Sequence, residues 1–231
     1  MMVTIKKIGL LCILIVGLQF KLFGVTTDDI LSKLHEAQLR ITDMSAVYSQ
    51  SVSSPLFGKE PQVEKGRFYK KGPLSRREIQ RPTRKLVITT DRFVFEKDEE
   101  TGHSKKTDLS GLPTPTMTPE EAIKQYHFTL TQETPEFYSL VGKNGDSEME
   151  MLVNKNRWTV DTLSVRMKGT PMITIHNDYD VIDSIPVLVK SVSEMQFSVG
   201  QTTNRIQTEM TYKSVKINQN LSPSLFSLDT L

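Results

Sequence analysis

Near the start of the chain Ile30, Leu31, Leu34, Ala37 and Ile41 recur at helical spacing. They form one narrow apolar stripe and predict a helix over 27–41. Thr26 and Asp29 supply a capping box, in which hydroxyl and carboxylate satisfy free amides of the first turn. From residue 44 the period changes to two. Met44, Ala46 and Tyr48 alternate with Ser45, Val47 and Ser49, and short strands follow at 66–71, 76–80, 85–90 and 92–97. Residues 56–63, with Gly58 and Pro61, and Gly72-Pro73 are breaks between them.

Residues 98–118 read as a polar loop containing Pro113 and Pro115. Thr118-Pro119-Glu120-Glu121 then has the signature of a helix start and predicts a short helix to about Tyr126. Strand patterns return at 137–143 and 147–153 around Asn144-Gly145, a strong hairpin signal. Further strands are predicted at 158–167, 172–176, 186–197 and 206–217, the last two joined by a hairpin over 200–204. The pattern specifies a mainly β chain with helices (α+β), built as a single strongly curved antiparallel sheet. Such a sheet exposes a large apolar surface unless its concave face is covered.

The first 24 residues stand apart. Lys6 and Lys7 precede an apolar run from Ile8 to Phe20, closed by Lys21. A bilayer-spanning helix needs about 20 apolar residues, so this run reads as a secretory signal peptide over 1–24. Cleavage after Gly24 leaves 25–231 as one domain, although Leu22 is larger than the residue usually found two positions earlier. The competing reading is an uncleaved anchor. Cys12 follows Leu10 and Leu11 rather than small residues, so it does not match a lipidation signal and leaves with the signal segment. A thiol-free exported chain fits the periplasm of a double-membraned bacterium.

The chain has 231 residues, 37% hydrophobic and 24% charged, and a formal net charge of +2. Removing Lys6, Lys7 and Lys21 from the 29 basic residues leaves 26 against 27 acidic, which excludes a global field that would draw nucleic acid. The basic excess is local: residues 65–92 hold ten lysines and arginines against Glu78 and Asp91. That run reads either as a solvated face or as a contact for anionic headgroups or an acidic partner.

Catalytic signatures are missing from the sequence. His35, His103, His127 and His176 are scattered, with no HExxH spacing, no Gly-x-Ser-x-Gly elbow and no phosphate-cradling loop. Asn177, Asp178, Asp180 and Asp183 lack the glycine and final glutamate of a calcium loop and read as part of a strand connection. No catalytic residue, metal site or cofactor is assigned.

The order of elements resembles the periplasmic outer-membrane lipoprotein carriers, the LolA-like family. The residues that carry the resemblance are Met44-Ser45-Ala46-Val47-Tyr48-Ser49-Gln50, Gly66-Arg67-Phe68-Tyr69-Lys70-Lys71-Gly72-Pro73, Arg76-Arg77-Glu78, Leu86 to Asp91 and Arg92-Phe93-Val94-Phe95. Leu221 to Leu228 is similar to the family's closing segment. The resemblance is weak between about 100 and 200.

It implies an unclosed β-barrel covered by a helical lid, enclosing an apolar cavity. It also implies a carrier that takes up lipoprotein or lipid acyl chains from an inner-membrane releasing complex and passes them to an outer-membrane receptor. Such a carrier works as a monomer, without nucleic acid or cofactor. Tyr48, Phe68, Ile79, Leu86, Ile88, Phe93 and Phe95 are then candidates for the cavity lining. Leu31 and Leu34 are candidates for the lid, and Lys71, Arg76, Arg77, Arg81 and Arg84 for partner or headgroup contact. Each aromatic and aliphatic candidate reads equally as ordinary packing between sheet and helix. Methionines such as Met149, Met151, Met167, Met172, Met195 and Met210 suit a cavity that repacks, and also suit a plain core. In one place the sequence departs from the family: Gly72 stands where the carriers have an arginine that contacts the lid. This puts obligate handover to a receptor in doubt, and a sensor or interaction domain on the same fold is the alternative reading.

Overall fold

The computed structural model describes residues 24–55, 58, 60–109, 125–167, 172–199 and 202–227. The signal segment up to residue 23 and most of the helix expected over 118–126 lie outside these residues. Helix α1 (Thr27–Leu39) begins with the expected box. The Thr26 hydroxyl accepts from the Asp29 amide at 3.2 Å, and the Asp29 carboxylate accepts from the Thr26 amide at 3.0 Å. The Thr26 hydroxyl, 2.7 Å from the Asp29 carboxylate, and the Thr26 amide both donate to it and hold the Asp29 carboxyl below the usual carboxylate range.

Thirteen strands follow among the described residues. They are β1 (Asp43–Ser53), β2 (Gln62–Lys71), β3 (Leu74–Arg81), β4 (Lys85–Thr89), β5 (Phe93–Asp98), β6 (Ser104–Asp108), β7 (His127–Glu133), β8 (Phe137–Asn144), β9 (Ser147–Asn154), β10 (Thr159–Met167), β11 (Ile173–Ile182), β12 (Ile185–Val199) and β13 (Thr202–Ile217). They form one antiparallel sheet in the order β6-β5-β4-β3-β2-β1-β13-β12-β11-β10-β9-β8-β7. Two meanders, each built from neighbours in sequence, are joined along β1 and β13. The sheet does not close, so β6 and β7 are its edges.

Three strands depart from the sequence reading, β6, β7 and β11, the last running on through Asn177, Asp178 and Asp180, which were expected in a connection and instead pair with β12. β6 replaces part of the polar loop expected over 98–118. Its residues Ser104-Lys105-Lys106-Thr107-Asp108 carry no alternation, and the pairing comes from the backbone of β5. A lysine-bearing edge strand is a common way to discourage unwanted pairing. β7 was not expected either, although Phe128 and Leu130 alternate in it. Trp158 belongs to the turn before β10, at φ 54°, rather than to the strand.

Side chains of directly paired residues point to the same face of an antiparallel sheet. The ladder can therefore be followed from Tyr48 through Tyr212 on β13, and row by row to β7. One row runs Val52, Thr208, Ser193, Ile175, Leu163, Met151, Leu140, Leu130. This is the inner face. α1 lies against its β7–β10 end, where Ile30, Leu31 and Leu34 are buried with Tyr138, Leu140, Met149, Met151, Val153 and Val160. Burying three such side chains contributes about 1.5–3 kcal/mol each before entropy. A second cluster gathers Met44, Ala46, Ile185, Val187 and Ile217, with Ile41 and Phe68 packed against it.

The opposite, outer face is covered locally by the end of the chain. Buried Asp43 accepts from the amides of Gln219 at 2.8 Å and Leu221 at 3.2 Å. The Asn218 side chain bridges the Thr42 amide and the Arg40 carbonyl. The turn Pro223–Phe226 follows and lies against β3.

Gly66 sits where a bulge at Gln80 brings β3 close to β2. A Cβ there would lie 2.0 Å from the Glu78 carbonyl oxygen. Gly66→Ala should therefore destabilise the fold by about 3 kcal/mol, the upper part of the range for overpacking. Chemical denaturation checks this; a variant as stable as wild type contradicts the close approach.

Candidate functional site

The seven residues read as cavity lining divide between the two faces. Tyr48, Phe68 and Ile79 are on the inner face, linked by the pairs Ala46–Phe68, Tyr48–Gly66 and Gly66–Ile79. Leu86, Ile88, Phe93 and Phe95 are on the outer face, linked through Glu78–Leu86, Arg76–Ile88 and Ile88–Phe95. Leu86 and Ile88 are fully buried there. Leu31 and Leu34 are both in the contact between α1 and the sheet.

On the inner face, β1–β3 carry a polar cluster. The Tyr48 hydroxyl, 1% exposed as a residue, donates to Glu64 Oε1 at 2.5 Å. Arg77 Nη1 reaches the same oxygen and Gln50 Oε1, each at 3.4 Å. Phe68 and Tyr212 meet alongside, with ring centroids 5.3 Å apart. Burial, reinforced by the hydrogen bond and charge of Glu64, raises the Tyr48 pKa far above the ordinary phenol value. Tyr48 therefore remains a neutral donor and cannot serve as a base. Farther along the face Tyr179 donates to the Val160 carbonyl at 3.1 Å, and burial pushes its pKa up to about 12. Asn177 donates to the same carbonyl, and no cluster of three metal-ligating side chains occurs among the described residues.

Between this cluster and the core under α1 lies an apolar stretch that sequence reasoning did not single out as a site. Leu163 and Val165 on β10, Ile173 and Ile175 on β11, Met195 on β12 and Ile206 on β13 share the inner face. All six are half-buried, and Leu163 and Val165 abut the α1 core. The spacing Ile173-x-Ile175 was a usable signal, as was the presence of Met195 among the adaptable methionines. The missing information was which face α1 covers. The arrangement presents aliphatic surface with the hydroxyls of Ser193 and Thr208 beside it, which suits a long hydrocarbon.

The basic candidates also separate. Lys71 Nζ donates to the Leu221 carbonyl at 2.5 Å, and Arg76 donates to the Leu225 carbonyl at 2.8 Å while bonding Glu78. Both hold the chain end to the outer face. Arg77 belongs to the inner polar cluster. Arg81 is exposed, and Arg84 is an exposed partner of Glu99 at 3.4 Å. Gly72, where the resemblance led to an expected arginine, opens the turn between β2 and β3 at φ 54°. A residue with a Cβ is strained in that region, so the turn itself favours glycine.

The fold matches several solved structures. A DUF1329 family protein from Desulfovibrio piger superposes with a TM-score of 0.66 at 13% identity, covering 88% of this chain and 96% of that one. A LolA superfamily protein from Nitrosomonas europaea gives 0.64 at 16% identity, covering 90% and 100%. A domain assigned to outer membrane lipoprotein sorting, from Vibrio parahaemolyticus, gives 0.64 at 13% identity, covering 87% and 97%. No family model and no curated protein matches the sequence. The chain therefore has the LolA-like fold, an unclosed antiparallel barrel with a helix laid against its inner face.

Tyr48→Phe should cost about 1.5–3 kcal/mol, the range for a hydrogen bond to a charged group. It should also change the alkaline limb of stability. Because the native pKa is raised, the contribution of Tyr48 is complete below about pH 10 and is lost as pH rises toward the native value. The variant should lose less stability than wild type between neutral and strongly alkaline pH. Parallel urea titrations across that range test the expectation, and identical alkaline slopes would contradict it.

Proposed function

We propose that this protein is a periplasmic carrier that takes acyl chains of lipoproteins or lipids onto its inner face and moves them toward the outer membrane. The observation that carries this reading is the half-buried stretch Leu163, Val165, Ile173, Ile175, Met195 and Ile206 beside the helix-sealed core. Each methylene of an acyl chain left in water costs about 0.8 kcal/mol, so lipid crosses an aqueous compartment only against a surface of this kind. The LolA-like fold adds to the reading, since solved structures that share it include a domain assigned to lipoprotein sorting. Export by the segment over 1–24, release from an inner-membrane complex and delivery to an outer-membrane receptor belong to the same proposal.

The inner polar cluster closes one side of the apolar stretch and supplies no nucleophile–base pair, which favours binding over catalysis. The alternative of an interaction domain acting through its basic strands has less support. Lys71, Arg76, Arg77 and Arg84, four of the five residues it was built on, bond within the chain itself.

Binding of an environment-sensitive fluorescent fatty acid tests the proposal. Wild type should bind it and release it to a competing triacylated lipopeptide. Ile175→Asp and Ile206→Asp each place a carboxylate in the apolar stretch and should weaken binding about tenfold or more, with the thermal transition retained. Probe binding that both variants leave unchanged would contradict this location.

A further inference from the structure

The outer face of β3, β2, β1 and β13 carries a second concentration of features. Its rows follow from the same ladders. One row runs Glu78, Arg67, Val47, Lys213, the next Arg81, Lys65, Ser49, Thr211, and a third places Lys216 beside Ser45 and Tyr69. Lys65, Arg67, Arg81, Lys213 and Lys216 are all exposed, and Val47 is 49% exposed at their centre.

Two of these residues, Lys213 and Lys216, lie far in sequence from the basic run over 65–92 and join it only through the pairing of β1 with β13. Lys65 and Arg81 are direct cross-strand partners, an arrangement of like charges that weakens a sheet unless an anion offsets it. The acid in these rows, Glu78, is engaged by Arg76 at 2.9 Å. Farther along the same face the charges are balanced instead, by Lys190 with Glu209 and Arg205 with Glu194.

We infer that this outer patch docks the protein on the anionic headgroup surface of a phospholipid bilayer. Neighbouring strands lie about 4.8 Å apart, so the charges are spread over the outer face of the sheet rather than gathered at one point. A protein interface draws its strength from a buried apolar core, and the patch and its margin offer only Val47, Val63 and half-buried Tyr69, scattered among the charges, for one. Laterally mobile phosphates need no fixed counterpart. A handful of lysines and arginines near such a surface gives attraction that is additive, reversible and salt-sensitive. The inner face, on the other side of the sheet, then remains directed away from the headgroups. The inference does not depend on what the inner face carries.

Co-sedimentation with vesicles tests it, using the protein in the form its host accumulates. Vesicles of phosphatidylethanolamine with phosphatidylglycerol are compared with vesicles of phosphatidylcholine alone. The triple variant Arg67→Gln, Arg81→Gln, Lys213→Gln is set against the equally discharged triple Lys105→Gln, Lys143→Gln, Arg166→Gln. Wild type should prefer the anionic vesicles and lose that preference in high salt. The outer-patch triple should bind them more weakly by about fivefold per residue, or about a hundredfold together, and the control triple should keep most of the binding. The thermal transition of each variant confirms that it is folded. Equal losses in the two triples would overturn the inference in favour of net charge. Equal binding to both vesicle types by wild type would also overturn it, and an acidic protein would become the occupant to seek.

Discussion

The packing of Ile30, Leu31 and Leu34 against β7–β10 is the contact on which the rest of the structure depends. An antiparallel sheet of this width, left unclosed, carries across the inner face of β7–β13 an apolar surface too large to leave to water. One amphipathic helix covers part of it. Where α1 lies, the side chains are sealed, as at Leu140 and Val153; beyond it, across β10–β13, the same rows continue with half-buried Leu163, Ile175 and Ile206. Among the described residues, the boundary between core and candidate binding surface follows the reach of α1 rather than a change in the strands.

Much of the architecture was legible in the sequence because the signals were local. The capping box at Thr26 and Asp29, the alternation in β1 and the turn at Gly72-Pro73 act over a few residues, and consecutive hairpins need little more. β6 escaped because its pairing depends on the backbone of β5, and no hydrophobic pattern marks it. The cavity residues were harder for a different reason. Alternation separates two faces but does not name them, and here both are buried in places. Tyr48 is buried on the inner face, and Ile88 on the outer face. Both carry the same sequence signal.

The basic run shows the same effect in charge. Its members alternate along β2 and β3, so Arg77 turns inward to Glu64, while its neighbour Arg76 turns outward to the chain end. Only the remainder is available to solvent, and it gains Lys213 and Lys216 from the last strand. A stretch that reads as one patch is divided among an internal ion pair, a clamp on the closing segment and an exposed surface.

For the proposed carrier, release from the apolar stretch would matter as much as capture, and half-burial suits both. A sealed cavity would cost its cargo less water contact but would have to be broken open, whereas the β10–β13 surface is already partly open beside α1. Native mass spectrometry of the protein purified from its own host envelope, followed by lipid extraction, tests this account most directly. The account predicts an acylated species bound near one per chain, lost on Ile175→Asp. A protein that arrives without lipid and also refuses added acyl chains would contradict it.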